Sequence, residues 1–427
     1  MGGPLEGVRV FEVSQIVAAP YCGLNLVDLG ADVVKVEPPG GEGFRHLGAF
    51  VPGESKTFQI LNRGKRGIVV NLQHPAGQAL VHRIIPRFDV FVMNARPGVA
   101  ERLRVDYPTL RALRPDLVYM ENTGYGSSGP GAQRSGSDLA AQGYSGLIAN
   151  EGKLDEDGAP ESIVSTAIAD YASGLAGAMG ICAALYRRAL SGEGEFIQTS
   201  LLMSALSVQN QRIARVPVAD AIFQRPLLDA VAAARAAGGG YREIVEARTG
   251  ATRGGSGKAF RLYYSGYRVQ DGAVVLGALT RANQDAMRRV LGIDDDPSAR
   301  PDFDPLDPAL EASIDAVRAR IRATLLTATA DEWVRRFEAE GAPVSRVNLP
   351  EELADDPQVA AIGGMIEVEH ETTGPSLMVG PIVQMANHPN GSTRPSPPLG
   401  RHTDEVLAEC GVGATEIAAL RAAGAVA

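Results

Sequence analysis

Cysteine is scarce in this chain of 427 residues: Cys22, Cys182 and Cys410 stand far apart, odd in number and without ligand spacing. Neither a disulfide framework nor a zinc site is implied, and a reducing, cytoplasmic setting is expected. Aromatic residues make up 5% and tryptophan occurs once, so core building falls to aliphatic side chains within a hydrophobic fraction of 45%. No apolar run reaches the roughly 20 residues that span a bilayer. The longest, Tyr171 to Tyr186, ends in Arg187 and Arg188 and is expected to be a buried helix. The opening Met1-Gly2-Gly3-Pro4-Leu5-Glu6 has neither a charged leader nor a hydroxyl where a myristoylation signal needs one, so no targeting signal is read. The six histidines, His46, His74, His82, His370, His388 and His402, do not pair at ligand spacing, and no metal is assigned. With a net charge of −9, broad nucleic-acid binding is excluded, while a local basic pocket for an anionic ligand is not. Small molecules and a second copy of the chain are the expected partners.

What is present is an alternation of strands and helices. Val8–Val13 reads as a strand, Pro20–Leu29 as a helix and Asp32–Glu37 as a second strand. Gly67–Leu72, a helix from Pro75 to Pro86, Val90–Met93, a short helix from Val99 and Leu117–Met120 continue the pattern. This spacing predicts an α/β fold with a doubly wound, mainly parallel, Rossmann-like sheet, its working edge formed by the turns after Val13, Val36, Leu72 and Met93. The turn after Val13, Ser14-Gln15-Ile16-Val17-Ala18-Ala19, lacks a Gly-x-Gly-x-x-Gly fingerprint, which argues against a nicotinamide dehydrogenase. From Val216 to Gly257 the texture changes to prolines, an alanine-rich stretch and two glycine clusters, read as the crossing into a smaller α+β domain. That domain's core begins at Tyr264, with a hairpin turn at Asp271-Gly272 and helices at Arg281–Leu291, Pro308–Leu326 and Ala330–Glu340. After Gly341 the pattern returns to turns and short strands, with a helical tail from His402.

Asp170 is the leading candidate for chemistry. It follows the extended run Ile163–Ala169 and precedes a small-residue helix that ends in Arg187-Arg188 and stops at Gly192. Local rules place Asp170 at the N-cap, the arginines at the negative end of the dipole and the glycine at the C-terminal stop. They do not explain Gly174, Gly177 and Gly180, three apart on one face, each of which costs about 1 kcal/mol against alanine. Something must approach that face closely. Asp170 reads either as an ordinary cap or as a carboxylate nucleophile at the positive end of a helix.

The elements carry a further pattern: Pro4–Val10, Leu29–Glu37, Asn62-Arg63-Gly64-Lys65-Arg66, Asp89-Val90 with Asn94-Ala95-Arg96-Pro97-Gly98, Gly124-Tyr125-Gly126, Asp170-Tyr171 with Gly174-Leu175, Ser191–Gly194, Asp356-Pro357-Gln358 and Leu399–Thr403. In this order and spacing, nearly end to end, the chain resembles the family III coenzyme A transferases, the group of formyl-CoA and carnitinyl-CoA transferases and the alpha-methylacyl-CoA racemases. The resemblance implies an interlocked homodimer and a large domain built by both termini: residues 1–215 its first part, 216–340 linker and small domain, 341–427 the return segment. It implies transfer of coenzyme A between an acyl-CoA and a carboxylic acid, with no tightly bound cofactor and the CoA thioester as substrate. Asp170 would be the nucleophile, passing through an aspartyl anhydride and an aspartyl-CoA thioester, and being ionised at neutral pH would need no general base.

By the same resemblance, Ile16, Val17 and Ala18 lie beside the thioester, Val70, Asn71, Leu72 and Gln73 on the adenine side, and Asn94, Ala95, Arg96 and Arg102 on the phosphate side. Ser137 and Asp138 join the CoA-binding set, and Gly254, Gly255, Ser256 and Gly257 match a mobile glycine-rich loop over the reacting centre. Lys65 and Arg66 are open between phosphate contact and structural charge. Some formyl-CoA transferases have a glutamine where this chain has Val17 and a tyrosine-glutamate pair where it has Ser137-Asp138, so the acyl pocket is expected to differ and oxalate is doubtful as acceptor. The racemase branch carries Gly-His-Asp where this chain has Gly136-Ser137-Asp138, and serine is no base near neutral pH. A non-catalytic acyl-CoA-binding protein is the other alternative.

Overall fold

Six parallel strands form the main sheet, and their side chains alternate between two buried faces. The strands in chain order are β1 (Arg9–Val13), β2 (Asp32–Glu37), a small antiparallel ribbon of β3 (Ala49–Val51) and β4 (Glu54–Ser55), then β5 (Arg66–Val69), β6 (Val90–Asn94), β7 (Val118–Thr123) and β8 (Glu195–Ser200). The sheet runs β5-β2-β1-β6-β7-β8 in a computed structural model that describes residues 3–253, 256–304, 307–388 and 390–427. Val10, Val33, Val90, Val92 and Met120 face a core shared with the helices Ala18–Asp28 and Ile168–Ser191. Phe11, Val34, Ile68, Phe91 and Tyr119 face the opposite core, which contains Leu80, Val81 and Ile84 of the Pro75–Ile84 helix and Val406 and Leu407 near the C-terminus. Period-2 alternation with both faces apolar is what a doubly wound parallel sheet requires. The few aromatics are concentrated: Phe11, Phe91, Tyr119 and Phe196 lie in register across β1, β6, β7 and β8, with ring centroids 5.9, 4.8 and 5.6 Å apart.

Chain contacts divide the protein into two units: residues 1–151, 161–214 and 356–427 form one, residues 152–160 and 215–355 the other. In the first, the C-terminus returns to the main sheet, where Val426 bridges Val70 and the Asn71 N–H donates to the Ala425 carbonyl at 2.9 Å. In the second, β9 (Tyr264–Arg268), β10 (Ala273–Gly277) and β11 (Val344–Arg346) form an antiparallel sheet in the order β11-β10-β9. Leu325, Trp333 and Phe337 share its buried core. Because β11 pairs with β10, the chain leaves this unit near Asp355 and not at Gly341, where the sequence texture changes. A hairpin of β12 (Met365–His370) and β13 (Gly374–Val379) follows in the first unit.

The Val216–Gly257 stretch, expected as a crossing, is largely helical, with helices at Arg225–Ala236 and Tyr241–Arg253. Its alanines favour helix, and Gly238, left-handed at φ +76°, separates the two.

Candidate active site

The three-apart glycines of the Ile168–Ser191 helix meet the Ala18–Asp28 helix and the sheet. A Cβ on Gly174 would sit 2.6 Å from the Ala18 carbonyl oxygen, and one on Gly177 would sit 2.1 Å from Met120 Cε and 3.2 Å from Cys22 Sγ. Glycine permits the two helices to touch through backbone, which brings the beginning of one against the beginning of the other. Asp170 lies at that junction.

Asp170 is not the N-cap. The helix starts at Ile168 with Ala167 in the cap position, and Asp170 is the third residue of the first turn. The capping group comes from another segment: Asp138 Oδ1 accepts the N–H groups of Ala169 at 2.7 Å and Asp170 at 3.1 Å, while its Oδ2 accepts from Gln142 Nε2 at 2.6 Å. Sequence rules find a cap only within its own segment, and this one stands 31 residues upstream of its partner. Ser137 caps the next helix, Asp138–Ser145, by accepting from the Ala140 N–H at 3.3 Å. The pair read as CoA contacts is therefore engaged in helix starts.

Asp170 is 9% exposed, and its pKa is pushed up to about 7, first by burial and then by the neighbouring Asp138 charge, against a lowering hydrogen bond from the Ala18 backbone N–H. A helix N-terminus favours a carboxylate by about 0.3–1 kcal/mol, well under one pKa unit, so desolvation wins. The expectation that Asp170 is simply ionised at neutral pH is corrected: near pH 7 it is divided between its two forms.

The Ser14–Ala18 turn lies at the reversal of strand order, between β1, whose other neighbour is β2, and β6. Asn94 at the end of β6 closes on it twice, Oδ1 accepting the Gln15 N–H at 2.9 Å and Nδ2 donating to the Gln15 carbonyl at 2.8 Å. Ile16 is left-handed, with φ +67°, an outlier for a β-branched residue. Its N–H donates to Glu42 Oε2 at 3.1 Å. Val17 and Ala18, both buried, then start the helix that faces Asp170.

Beneath the turn is a buried set of charges. Lys65 Nζ donates to Glu12 Oε1 at 2.9 Å, the Pro20 carbonyl at 2.8 Å and Asn62 Oδ1 at 3.0 Å. Lys35 Nζ donates to the Ser14 carbonyl and Oγ at 3.1 and 3.2 Å and stands 3.7 Å from both Glu12 and Glu42. Burial pushes the Lys65 ammonium down to about 8 even beside Glu12. Arg66 is committed to Asp32, Glu405 and Glu409. Lys65 and Arg66 are thus structural charges. Sequence reading missed Glu12, Lys35 and Glu42; for Glu12 and Lys35 the available signal was a charged residue inside β1 and β2, where a parallel sheet expects apolar ones.

Of the remaining candidates, Val70–Gln73 follow the carboxyl end of β5, and Ala95, Arg96 and Arg102 follow that of β6. Val70 and Leu72 are buried, Asn71 is bound to the C-terminal segment and Gln73 is exposed. Ala95 is half-buried, and Arg96 and Arg102 are exposed with no carboxylate partner among the described residues. Gly254 and Gly255 lie outside the described residues; Ser256 and Gly257 open the short helix Ser256–Phe260 of the other unit.

Comparison with known proteins gives a consistent result. The profile described as CoA-transferase family III matches residues 5–403. The chain is 33% identical over 95% of its length to succinate–glutarate CoA-transferase of Agrobacterium fabrum, of which 95% is covered. It is 31% identical to the mouse succinyl-CoA:glutarate CoA-transferase, covering 95% of this chain and 86% of that one. Among solved structures, it is similar to a CaiB/BaiF family protein from Brucella suis, with a TM-score of 0.71, 27% identity and coverage of 96% and 100%.

Proposed function

The chain belongs to CoA-transferase family III and is an enzyme of that class, and from this premise we propose that it exchanges coenzyme A between two carboxylic acids with Asp170 as the covalent relay. The observation that carries the reading is a buried carboxylate, pKa about 7, at the first turn of a helix and at the switch point of a parallel sheet. The ionised carboxylate attacks the donor thioester carbonyl and expels CoA thiolate, leaving a mixed anhydride. The thiolate attacks the aspartyl carbonyl, releasing the donor acid and leaving an aspartyl-CoA thioester. The acceptor carboxylate displaces the thiolate to form a second anhydride, and thiolate attack on its acceptor carbonyl frees acceptor-CoA and Asp170. A carboxyl with pKa near 7 is a more basic nucleophile than one near 4, and the fraction ionised at neutrality is still large.

The Ala18 N–H, at the start of the Ala18–Asp28 helix, interacts with the carboxylate and is suited to a developing oxyanion. The thioester would lie against Ile16–Ala18, the adenine beside Val70–Gln73, and the phosphates toward Asn94, Ala95 and the exposed Arg96 and Arg102. Asp138 acts by holding the Asp170 helix, not by touching CoA. Small dicarboxylates are the substrate class favoured by the succinyl and glutarate relatives. A homodimer is supported by an apolar stripe on the Ile168–Ser191 helix, where Leu175, Met179, Tyr186 and Leu190 are exposed at helical spacing, Met179 by 71%.

The test is mass spectrometry after incubation with succinyl-CoA, glutaryl-CoA and monocarboxylic acyl-CoAs, with and without hydroxylamine. A CoA adduct or hydroxamate confined to Asp170, and missing from Asp170→Ala, is expected. Turnover surviving in Asp170→Ala would refute the relay; binding without any adduct would favour the acyl-CoA-binding alternative.

A further inference from the structure

A left-handed isoleucine needs something to hold it there, because the steric preference of a β-branched residue runs the other way. The neighbours of Ile16 supply three restraints. Asn94 fixes both backbone groups of Gln15. Gly43 leaves room for the side chain, since a Cβ there would lie 3.3 Å from Ile16 Cδ1. Glu42 Oε2 accepts the Ile16 N–H, the one backbone donor that identifies this conformation.

Glu42 is itself fixed. It is 3% exposed; the same Oε2 accepts the Phe44 N–H at 3.0 Å, its own N–H donates to Glu37 Oε2 at 3.1 Å, and Oε1 faces Lys35 at 3.7 Å with no hydrogen-bond partner among the described residues. A buried carboxylate with one oxygen left unbonded is a costly way to stabilise a short turn, where a serine or asparagine would cap as well. Its placement matches a need to hold the Ile16 N–H in a water-poor setting.

We propose that Glu42 is a positioning residue for the transfer reaction: by holding Ile16 in the left-handed conformation it sets the start of the following helix, where the Ala18 backbone packs against Gly174, one turn on from Asp170 in the facing helix. The inference rests on Asp170 being the nucleophile, but its conformational part does not. The same turn carries the Ile16–Ala18 backbone that would flank the thioester, so Glu42 acts on attack geometry and on oxyanion stabilisation without touching substrate.

Glycine adopts φ +67° without strain, which gives a double-mutant cycle that separates holding Ile16 from general stability. Glu42→Ala in the native background is expected to lower kcat for CoA transfer from succinyl-CoA to glutarate by about tenfold or more with KM changed less than about threefold, as for a misplaced catalytic amide. In the Ile16→Gly background the same substitution is expected to cost less than about threefold. Glu42→Gln, which keeps an acceptor for the Ile16 N–H, is expected to retain most of kcat. Hydrogen exchange read on the Ile16–Ala18 amides gives a substrate-free arm: protection is lost in Glu42→Ala and regained in Glu42→Gln. Glu42→Met, which keeps length without the oxygen acceptor, replaces the alanine variant should that fail to fold. An equal cost in both backgrounds, or unchanged amide protection in Glu42→Ala, overturns the proposal. Asp170→Ala run in parallel separates the two readings: full turnover there removes the nucleophile but leaves the exchange result to judge Glu42.

Discussion

Asp170→Asn removes an ionisation that the fold opposes, so the variant should be inactive yet more stable than the native enzyme above neutrality. The folded pKa, about 7, lies above the ordinary 3.8, because burial and the Asp138 charge outweigh the Ala18 N–H. Native protein therefore keeps a proton that the unfolded chain releases near pH 4. The associated stability is fully present below that pH and is lost as pH rises through about 7, at a slope of about 1.4 kcal/mol per unit inside the window. Across the whole shift the loss approaches about 4 kcal/mol, and between pH 5 and pH 8 it is about 2–3 kcal/mol.

Asparagine is neutral throughout and still offers an oxygen to the Ala18 N–H, so it does not incur this loss. Asp138 keeps its backbone partners in both proteins, and its repulsion of the Asp170 carboxylate is part of the loss that the variant escapes. Urea unfolding of both at pH 5, 6, 7 and 8, at one protein concentration, should show a stability difference that grows in favour of Asp170→Asn by about 2–3 kcal/mol across that range. A constant offset, or native protein gaining on the variant as pH rises, would mean that Asp170 is ionised in the fold throughout, and the account of its environment would be wrong.

The same titration should govern turnover: kcat/KM for the acyl-CoA should climb about tenfold per unit below pH 7 and level off above it, and Asp138→Asn, which removes the opposing charge, should move the midpoint downward. Gly174→Ala should destabilise by about 1–3 kcal/mol, more than Gly177→Ala, because its Cβ meets the Ala18 backbone whereas the other meets the movable end of Met120; calorimetry of both variants decides. Arg96→Ala and Arg102→Ala should raise the CoA dissociation constant by about tenfold each, as loss of a charge-assisted phosphate contact does, and leave the thermal midpoint in place, since both side chains are exposed and neither has a carboxylate partner among the described residues.

Much of this was legible from residue patterns. Alternation at Val10/Phe11, Val33/Val34 and Val90/Phe91 announces a sheet buried on both faces, and the segment Asp170–Gly192 announces a helix with something pressed against its glycines. What was not legible involves partners distant in sequence. Asp138 caps a helix that begins 30 residues later, so the local rule assigned the cap to Asp170. The alanine-rich stretch after Pro226 has strong helix propensity, but the surrounding glycines drew attention to a linker, and propensity won. Glu42 follows Glu37-Pro38-Pro39-Gly40-Gly41, an ordinary loop by composition, and only the three-dimensional return to Ile16 gives it a role.

The placement of charge explains why so much strain and desolvation gather at one edge of the sheet. A relay carboxylate must be basic enough to attack a thioester and yet ionised enough to be ready, and the two demands pull its pKa in opposite directions. Burial and the Asp138 charge favour the neutral acid and outweigh the Ala18 N–H and the helix N-terminus, which favour the anion, so the value settles near 7. The Ala18 contribution depends on a turn that isoleucine resists, so it persists only if the surroundings fix the turn from several sides. Asn94 from β6, Glu42 from the loop after β2, and Lys35 behind both Ser14 and Glu42 do so from separate elements of the fold. On this reasoning the buried ion network serves the acidity of Asp170 more than the stability of the domain. Replacing Lys35 by methionine, which removes the ammonium facing Glu42, should therefore loosen the Ile16 amide and raise the pH midpoint of turnover; an unchanged midpoint in a folded variant would assign the network to stability alone.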